Sequence, residues 1–247
     1  MARARKTVLI TGATDGIGRA LAEIYRARDE RLVLVGRRPL DSLEGVLYTE
    51  ETYCKADLSK QDCADQVCSF LSSREIESLD LAIHNAATGY YGSVADQPGS
   101  VIREVVAVNL LAPLRLTHAL VPHVKNTGGK HVLIGSIAHA FPCPEFAVYA
   151  ATKEALDVFG RNLRVEGDVN VQVIHPGATQ TGIHRKSGRR DGNTGAFPPA
   201  ERVARRIARV IDGRRSVATI GLRNRWLRLC GRYCDGVIEA LMRWRAK

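Results

Sequence analysis

The sequence has no long apolar run, no Cys-x-x-Cys pair and no repeated or low-complexity tract, and each absence excludes something. Its longest apolar stretches, around residues 6–10, 32–35 and 79–83, fall far short of the ~20 residues a helix needs to cross a bilayer. No membrane-spanning helix is therefore expected. The N-terminus, Met1 to Lys6, is basic but runs straight into a strand pattern with no cleavable apolar segment, so nothing points to export. The cysteines at 54, 63, 68, 143, 230 and 234 form no Cys-x-x-Cys, and no histidine stands at zinc-finger spacing. No metal is expected, and a reduced, cytoplasmic setting fits best. Cys230 and Cys234, one helical turn apart, read as small buried apolar groups.

What remains is ordinary globular composition. The 247 residues are 45% hydrophobic and 25% charged, enough for one large domain with a buried core. The net charge of +10 is unevenly spread. Residues 1–184 hold 19 basic and 21 acidic side chains, whereas 185–247 hold 17 basic and 5 acidic. Such asymmetry admits nucleic acid, an anionic membrane surface or an acidic ligand as a partner and does not choose among them.

Apolar, β-rich runs recur at 6–11, 31–37, 52–56, 79–85, 130–136, 170–175 and 217–221. Helical patterns fall between or after them, at 16–28, 60–73, 101–125, 147–165 and 200–212. Runs without polar alternation suit strands covered on both faces, and strand–helix repetition predicts an α/β, doubly wound parallel sheet of about seven strands with helices on both faces. Ligands bind such sheets beyond the strand carboxyl ends, where strand order reverses. The stretch 182–199 lacks a convincing pattern and mixes glycines with Arg185, Lys186, Arg189 and Arg190. It reads as a lid over the cleft or as a plain surface loop.

After the first run comes Thr11-Gly12-Ala13-Thr14-Asp15-Gly16-Ile17-Gly18, opening directly into a helix. Glycines there permit a tight turn and close backbone approach to a pyrophosphate, and the helix N-terminus offers unpaired N–H groups. Asp15 is the natural helix N-cap. About 20 residues on, where a carboxylate would take the ribose hydroxyl of NAD, stand Arg37 and Arg38. Guanidinium groups suit a 2′-phosphate, so NADP(H) is favoured and NAD(H) remains open.

Tyr149 and Lys153 stand at i and i+4, on one face of a predicted helix. An ammonium beside a phenol and an oxidised nicotinamide both stabilise the phenolate and make proton exchange with a substrate oxygen feasible near neutral pH. Ser136, 13 residues earlier at a strand end, offers a hydroxyl to orient a carbonyl. Asn109 offers an amide able to hold a water and link Lys153 to solvent, or else to brace a local backbone kink. His84 and His175 read as core histidines.

These motifs, with Asp57-Leu58, His84-Asn85-Ala86-Ala87 and Pro176-Gly177 followed by Thr181, occur in the order of the short-chain dehydrogenase/reductase family, which the chain resembles over about residues 6–181. The resemblance implies a Rossmann-type fold and a hydride transfer between a nicotinamide and a carbonyl/alcohol substrate. It makes Tyr149 the general acid/base, Ser136 the substrate-positioning hydroxyl, and Asn109 part of a proton relay. Lys153 would also hold the nicotinamide ribose, Asp57 would touch the adenine, and Asn85 and Ala86 would line the adenosine ribose. Thr179 and Thr181 would meet the carboxamide and phosphates, with Leu58, Ala87, Pro176 and Gly177 alongside. It also implies a homodimer or homotetramer. Ala87 departs from the family's glycine and puts a methyl where backbone runs close to the cofactor.

Ala140, Phe141, Pro142, Phe146 and Phe197 suggest an apolar substrate pocket. From 222 to 247 the apolar residues Trp226, Cys230, Tyr233, Val237, Leu241 and Trp244 recur every three or four positions against a basic opposite face. This amphipathic segment suits a pocket wall, a subunit interface or peripheral membrane contact. Nucleic acid is disfavoured, because no aromatic platform or groove-reading motif accompanies the charge. The rival to an enzyme is a dinucleotide-sensing protein whose basic tail engages a partner, for which Tyr149 would be superfluous.

Overall fold

The computed structural model describes residues 4–188 and 196–245. Residues 189–195 of the expected lid, with Arg189 and Arg190, lie outside the described residues, as do the side chains of Asp235 and Leu241 in the C-terminal pattern.

The apolar runs form seven strands: β1 (Thr7–Thr11), β2 (Arg31–Gly36), β3 (Tyr53–Lys55), β4 (Leu81–His84), β5 (Lys130–Ile134), β6 (Asn170–His175) and β7 (Val217–Thr219). They pair in parallel in the order β3-β2-β1-β4-β5-β6-β7. Leu32 and Leu34 of β2 enter one core and Val33 and Val35 the other, so a continuous apolar run is what this strand requires. The order reverses between β1 and β4, which sets a crevice at the carboxyl end of that pair.

Helices α1 (Gly16–Ala27), α2 (Cys63–Ser73), α3 (Gly99–Val106), α4 (Ala112–Lys125) and α5 (Ala147–Glu166) follow in turn. After β6 come α6 (Gly182–Lys186), α7 (Ala200–Ile211), α8 (Leu222–Tyr233) and α9 (Asp235–Arg245). Leu21 and Tyr25 of α1 pack with Val203 and Ile207 of α7 in one core, while Val67 and Leu71 of α2 meet Leu116 and Leu120 of α4 in the other. Leu156 of α5 joins Leu133 and Val173 in a third cluster. The C-terminal segment breaks at Cys234 into two helices rather than one.

A π-helical turn at Ala107–Leu111 joins α3 to α4, giving one helix from Gly99 to Lys125. That helix is 27 residues long and holds an 18-residue stretch of mean hydropathy 1.5, so by length and composition it could cross a bilayer, contrary to the expectation from uninterrupted runs. Polar residues end a run but only dilute a helical average. Here Ala112, Leu116, Leu120 and Val124 are buried in the core it shares with α2.

Candidate active site

The turn after β1 is built for close approach. Gly12 has φ +65°, and a side chain there would lie 2.8 Å from the Ala86 Cα. Gly18 presses on the Gly12 carbonyl, which an added Cβ would meet at 2.2 Å. The Thr11 hydroxyl accepts the N–H groups of Asn85 and Ala86 at 3.0 and 3.1 Å, and the Asn85 amide donates to the Thr11 carbonyl at 3.0 Å. These bonds fix the end of β4 against the turn. No side chain caps α1, so its N-terminus faces the crevice with the donors and partial positive charge that suit a pyrophosphate. Asp15 sits at the N-cap position but turns its carboxylate to Lys186 of α6, 2.6 Å away.

The crevice is a cleft of about 570 Å³ whose wall includes Gly12, Thr14, Asp15, Gly16 and Ile17 from this turn. Arg37, Asp57, Leu58, Asn85, Ala86 and Ala87 continue the wall, as do Pro176, Gly177, Thr179 and Thr181 after β6. Arg37 also pairs with Glu104 of α3 at 3.1 Å. Asp57 lies below the ordinary carboxylate range: partial burial opposes this, but the Ser59 N–H and hydroxyl, donating at 3.0 and 2.8 Å, outweigh it. Uncapped donors, close-packed glycines and a cation at the end of β2 together fit a phosphate-bearing dinucleotide.

At the other end of the cleft Ser136, Tyr149 and Lys153 converge. Ser136 follows β5 and accepts the Ala138 N–H at 3.1 Å. Its hydroxyl also acts on the Tyr149 phenol, in the sense that lowers the phenol's pKa. Lys153 is 2% exposed, donates to the Ile134 carbonyl at 2.9 Å, and holds its Nζ 5.7 Å from the centre of the Tyr149 ring. Burial pushes the phenol up to about 12 against the pull of Ser136, and burial lowers the Lys153 ammonium to about 8. The expected acidified phenol is thus not a property of the chain alone, because desolvation outweighs the lowering by Ser136. Tyr149 stacks on Phe146 at 4.3 Å, and Phe141, Pro142, Ile183 and Met242 extend an apolar wall.

Three expected site residues lie off the cleft wall. The Arg38 guanidinium turns back to the Ser42 carbonyl, and Gly18 packs beneath the turn. Asn109 is buried in the π turn, where its Oδ1 accepts from Thr88 N at 2.8 Å and its Nδ2 donates to Thr88 O at 2.9 Å and Thr152 Oγ1 at 3.2 Å. Its amide braces the segment after β4. Ala140 and Phe197 are absent from the wall, and Phe197 packs on His184 instead. His84 is buried with its Nε2 3.1 Å from His131, and His175 is likewise a core histidine at 0% exposure. Its Nε2 lies 3.0 Å from Asp157, its ring stacks on His139, and Arg228 of α8 reaches both Asp157 and His139. No local spacing announces that cluster, because its members come from four elements. Tyr91, Glu104, Lys186 and Met242 also line the cleft unannounced.

With this geometry in place, the family model for short chain dehydrogenase matches residues 6–192. The chain belongs to the short-chain dehydrogenase family. It is a nicotinamide-dependent oxidoreductase. Dehydrogenase/reductase SDR family member 7B of Xenopus tropicalis is 32% identical over 231 residues, covering 84% of this chain and 74% of that protein. A short-chain dehydrogenase from Sphingobium yanoikuyae, solved with NADPH, is 28% identical with TM-score 0.77, covering 96% of this chain and 95% of that one. The bulky-bulky ketone specific alcohol dehydrogenase from Comamonas testosteroni is 29% identical with TM-score 0.74, covering 96% and 93%.

Proposed function

We propose that this short-chain dehydrogenase moves hydride between NADP(H) and an apolar carbonyl/alcohol pair, with Tyr149 as general acid/base. The observation that carries the reading is the convergence of Ser136, Tyr149 and Lys153 in one cleft with the uncapped N-terminus of α1. When bound, the nicotinamide supplies or accepts the hydride. Ser136 donates a hydrogen bond to the substrate oxygen and orients the carbonyl. Tyr149, protonated across the neutral range at a value of about 12, delivers a proton to that oxygen in reduction. Lys153, held beside the ring, favours the phenolate left behind while it carries its own charge.

The apolar wall of Phe141, Pro142, Phe146, Ile183 and Met242 excludes water and supports a bulky, weakly polar substrate. The ketone specificity of the Comamonas relative points the same way. Arg37 supports NADP(H), as does the NADPH bound by the Sphingobium relative. The cysteines are all free thiols, consistent with the cytoplasm. Assembly as a homodimer or homotetramer through α4 and α5 belongs to the same reading. NADPH consumption over a panel of bulky and small ketones tests it. Turnover of bulky ketones, with NADH the poorer cofactor, is expected; NADPH binding without turnover of any carbonyl would leave a dinucleotide sensor instead.

A further inference from the structure

Helices α8 and α9 leave a run of large apolar side chains exposed, although Met242 of α9 faces the catalytic cleft. Leu222, Trp226, Leu229 and Tyr233 of α8 follow one another at steps of four, three and four, and are 81%, 66%, 59% and 74% exposed. Val237 and Trp244 of α9 are 63% and 76% exposed. Polar contacts help to hold α8 to the protein, alongside the partly buried Leu227 and Cys230. Asn224 donates to the Ile220 carbonyl, Arg225 to the Thr219 carbonyl, and Arg228 to His139, while Gly231 lies against the Ala140 carbonyl. A helix that covers a core shows the opposite arrangement. Both tryptophans of the chain, Trp226 and Trp244, stand exposed on these two helices.

A second cavity, of about 360 Å³, lies between β7 and α8. Arg215, Arg225, Arg228 and Arg232 line it with Thr219 and Tyr233, and no acidic side chain is among its lining residues. Leu229 and Tyr233 belong both to this cavity wall and to the exposed stripe, so cationic pocket and apolar surface adjoin. We propose that this face docks on an anionic phospholipid bilayer, with the stripe entering the boundary between headgroups and acyl chains and the arginine pocket receiving a lipid phosphate. Tryptophan and tyrosine favour that boundary, and arginine is drawn to anionic headgroups. A second copy of the chain is a poor occupant, since residues 222–245 hold six arginines against Asp235 and Glu239, and two such faces repel. Free phosphate would account for the pocket but not for the stripe. Met242 of α9 lines the substrate end of the catalytic cleft, so the docking face adjoins its mouth. The inference stands apart from the redox chemistry.

The test uses the full chain with vesicles of phosphatidylcholine alone or mixed with phosphatidylserine, at physiological salt. Cosedimentation and the emission of the two tryptophans are read together. Binding to the mixed vesicles with blue-shifted emission is expected, about tenfold or more above the neutral ones. The pairs Trp226→Ser with Leu229→Ser, and Arg215→Gln with Arg232→Gln, should each cut that binding by roughly tenfold. Unchanged thermal melting and NADPH affinity would show both variants folded. The proposal is overturned if the wild type ignores phosphatidylserine, or if both pairs bind like the wild type. It is equally overturned if inorganic phosphate displaces the protein fully, or if the stripe variant only converts a dimer to a monomer.

Discussion

Lys153 and Tyr149 are both pushed toward their neutral forms by burial, to about 8 and about 12. The sign of the consequence follows from proton counting. Between about pH 8 and the ordinary lysine value of 10.5, the unfolded chain holds a proton that the folded one has released, so stability rises with pH there. The full rise is roughly 3 kcal/mol. Above pH 10 the raised Tyr149 acts in the opposite sense, because the folded state keeps a proton the unfolded chain loses. The raised thiols of Cys54, Cys63, Cys68 and Cys143 act in the opposite sense in both proteins, so urea unfolding without cofactor between pH 7 and 10 should show the stability of the wild type rising relative to that of Lys153→Met. Parallel profiles for the two proteins would mean that Lys153 is better solvated than its 2% exposure implies. Residues of this kind were legible in the sequence because Ser136, Tyr149 and Lys153 sit at fixed local spacings. Asp157, His139, His175 and Arg228 were not, since only tertiary packing of α5, the turn after β5, β6 and α8 joins them. Burial alone would raise Asp157, yet the hydrogen bond from His175, with His139 and Arg228 nearby, holds it at about 2.

Elements were read most reliably where both faces are buried. The run 31–37 had to be an interior strand, because alternate residues of β2 feed opposite cores. The five-residue α6 escaped notice, since one turn of helix leaves no periodicity to detect. The break at Cys234 was likewise hidden inside a continuous amphipathic pattern. The junction of β1 with α1 carries the sharpest prediction at this scale. An added methyl in Gly18→Ala would meet the Gly12 carbonyl at 2.2 Å and the Asn85 amide at 2.5 Å. Backbone must shift, and such overpacking typically costs about 1–3 kcal/mol. A lower melting temperature and at least about tenfold weaker NADPH binding are expected, measured by thermal unfolding and by NADPH fluorescence titration. Full affinity in that variant would show that the turn is not the phosphate cradle.

For the molecule as a whole, the sheet order places the cofactor end and the chemical end of one cleft on either side of the β1–β4 reversal. In the function proposed, cofactor choice is decided across that cleft. Arg37 belongs to the segment after β2 but is held at 3.1 Å by Glu104 of α3, a competition no local reading exposes. Arg37→Ala should erase most of any preference for NADPH over NADH, on the order of tenfold, by removing one charge-assisted contact. Glu104→Gln should strengthen NADPH binding by freeing the guanidinium. Paired titrations with both cofactors check the two signs, and no change in either variant would remove Arg37 from 2′-phosphate recognition.

The most direct measurement follows the hydride itself. NADPH deuterated at the reactive ring carbon is incubated with a bulky ketone and either wild type or Tyr149→Phe, and the product alcohol is examined by mass spectrometry. Deuterium on the wild-type carbinol carbon is expected, with a rate about 10²–10⁴-fold lower in the variant at unchanged NADPH affinity. Equal rates in the two proteins, or an alcohol free of deuterium, would contradict the role assigned to Tyr149 and the redox chemistry built upon it.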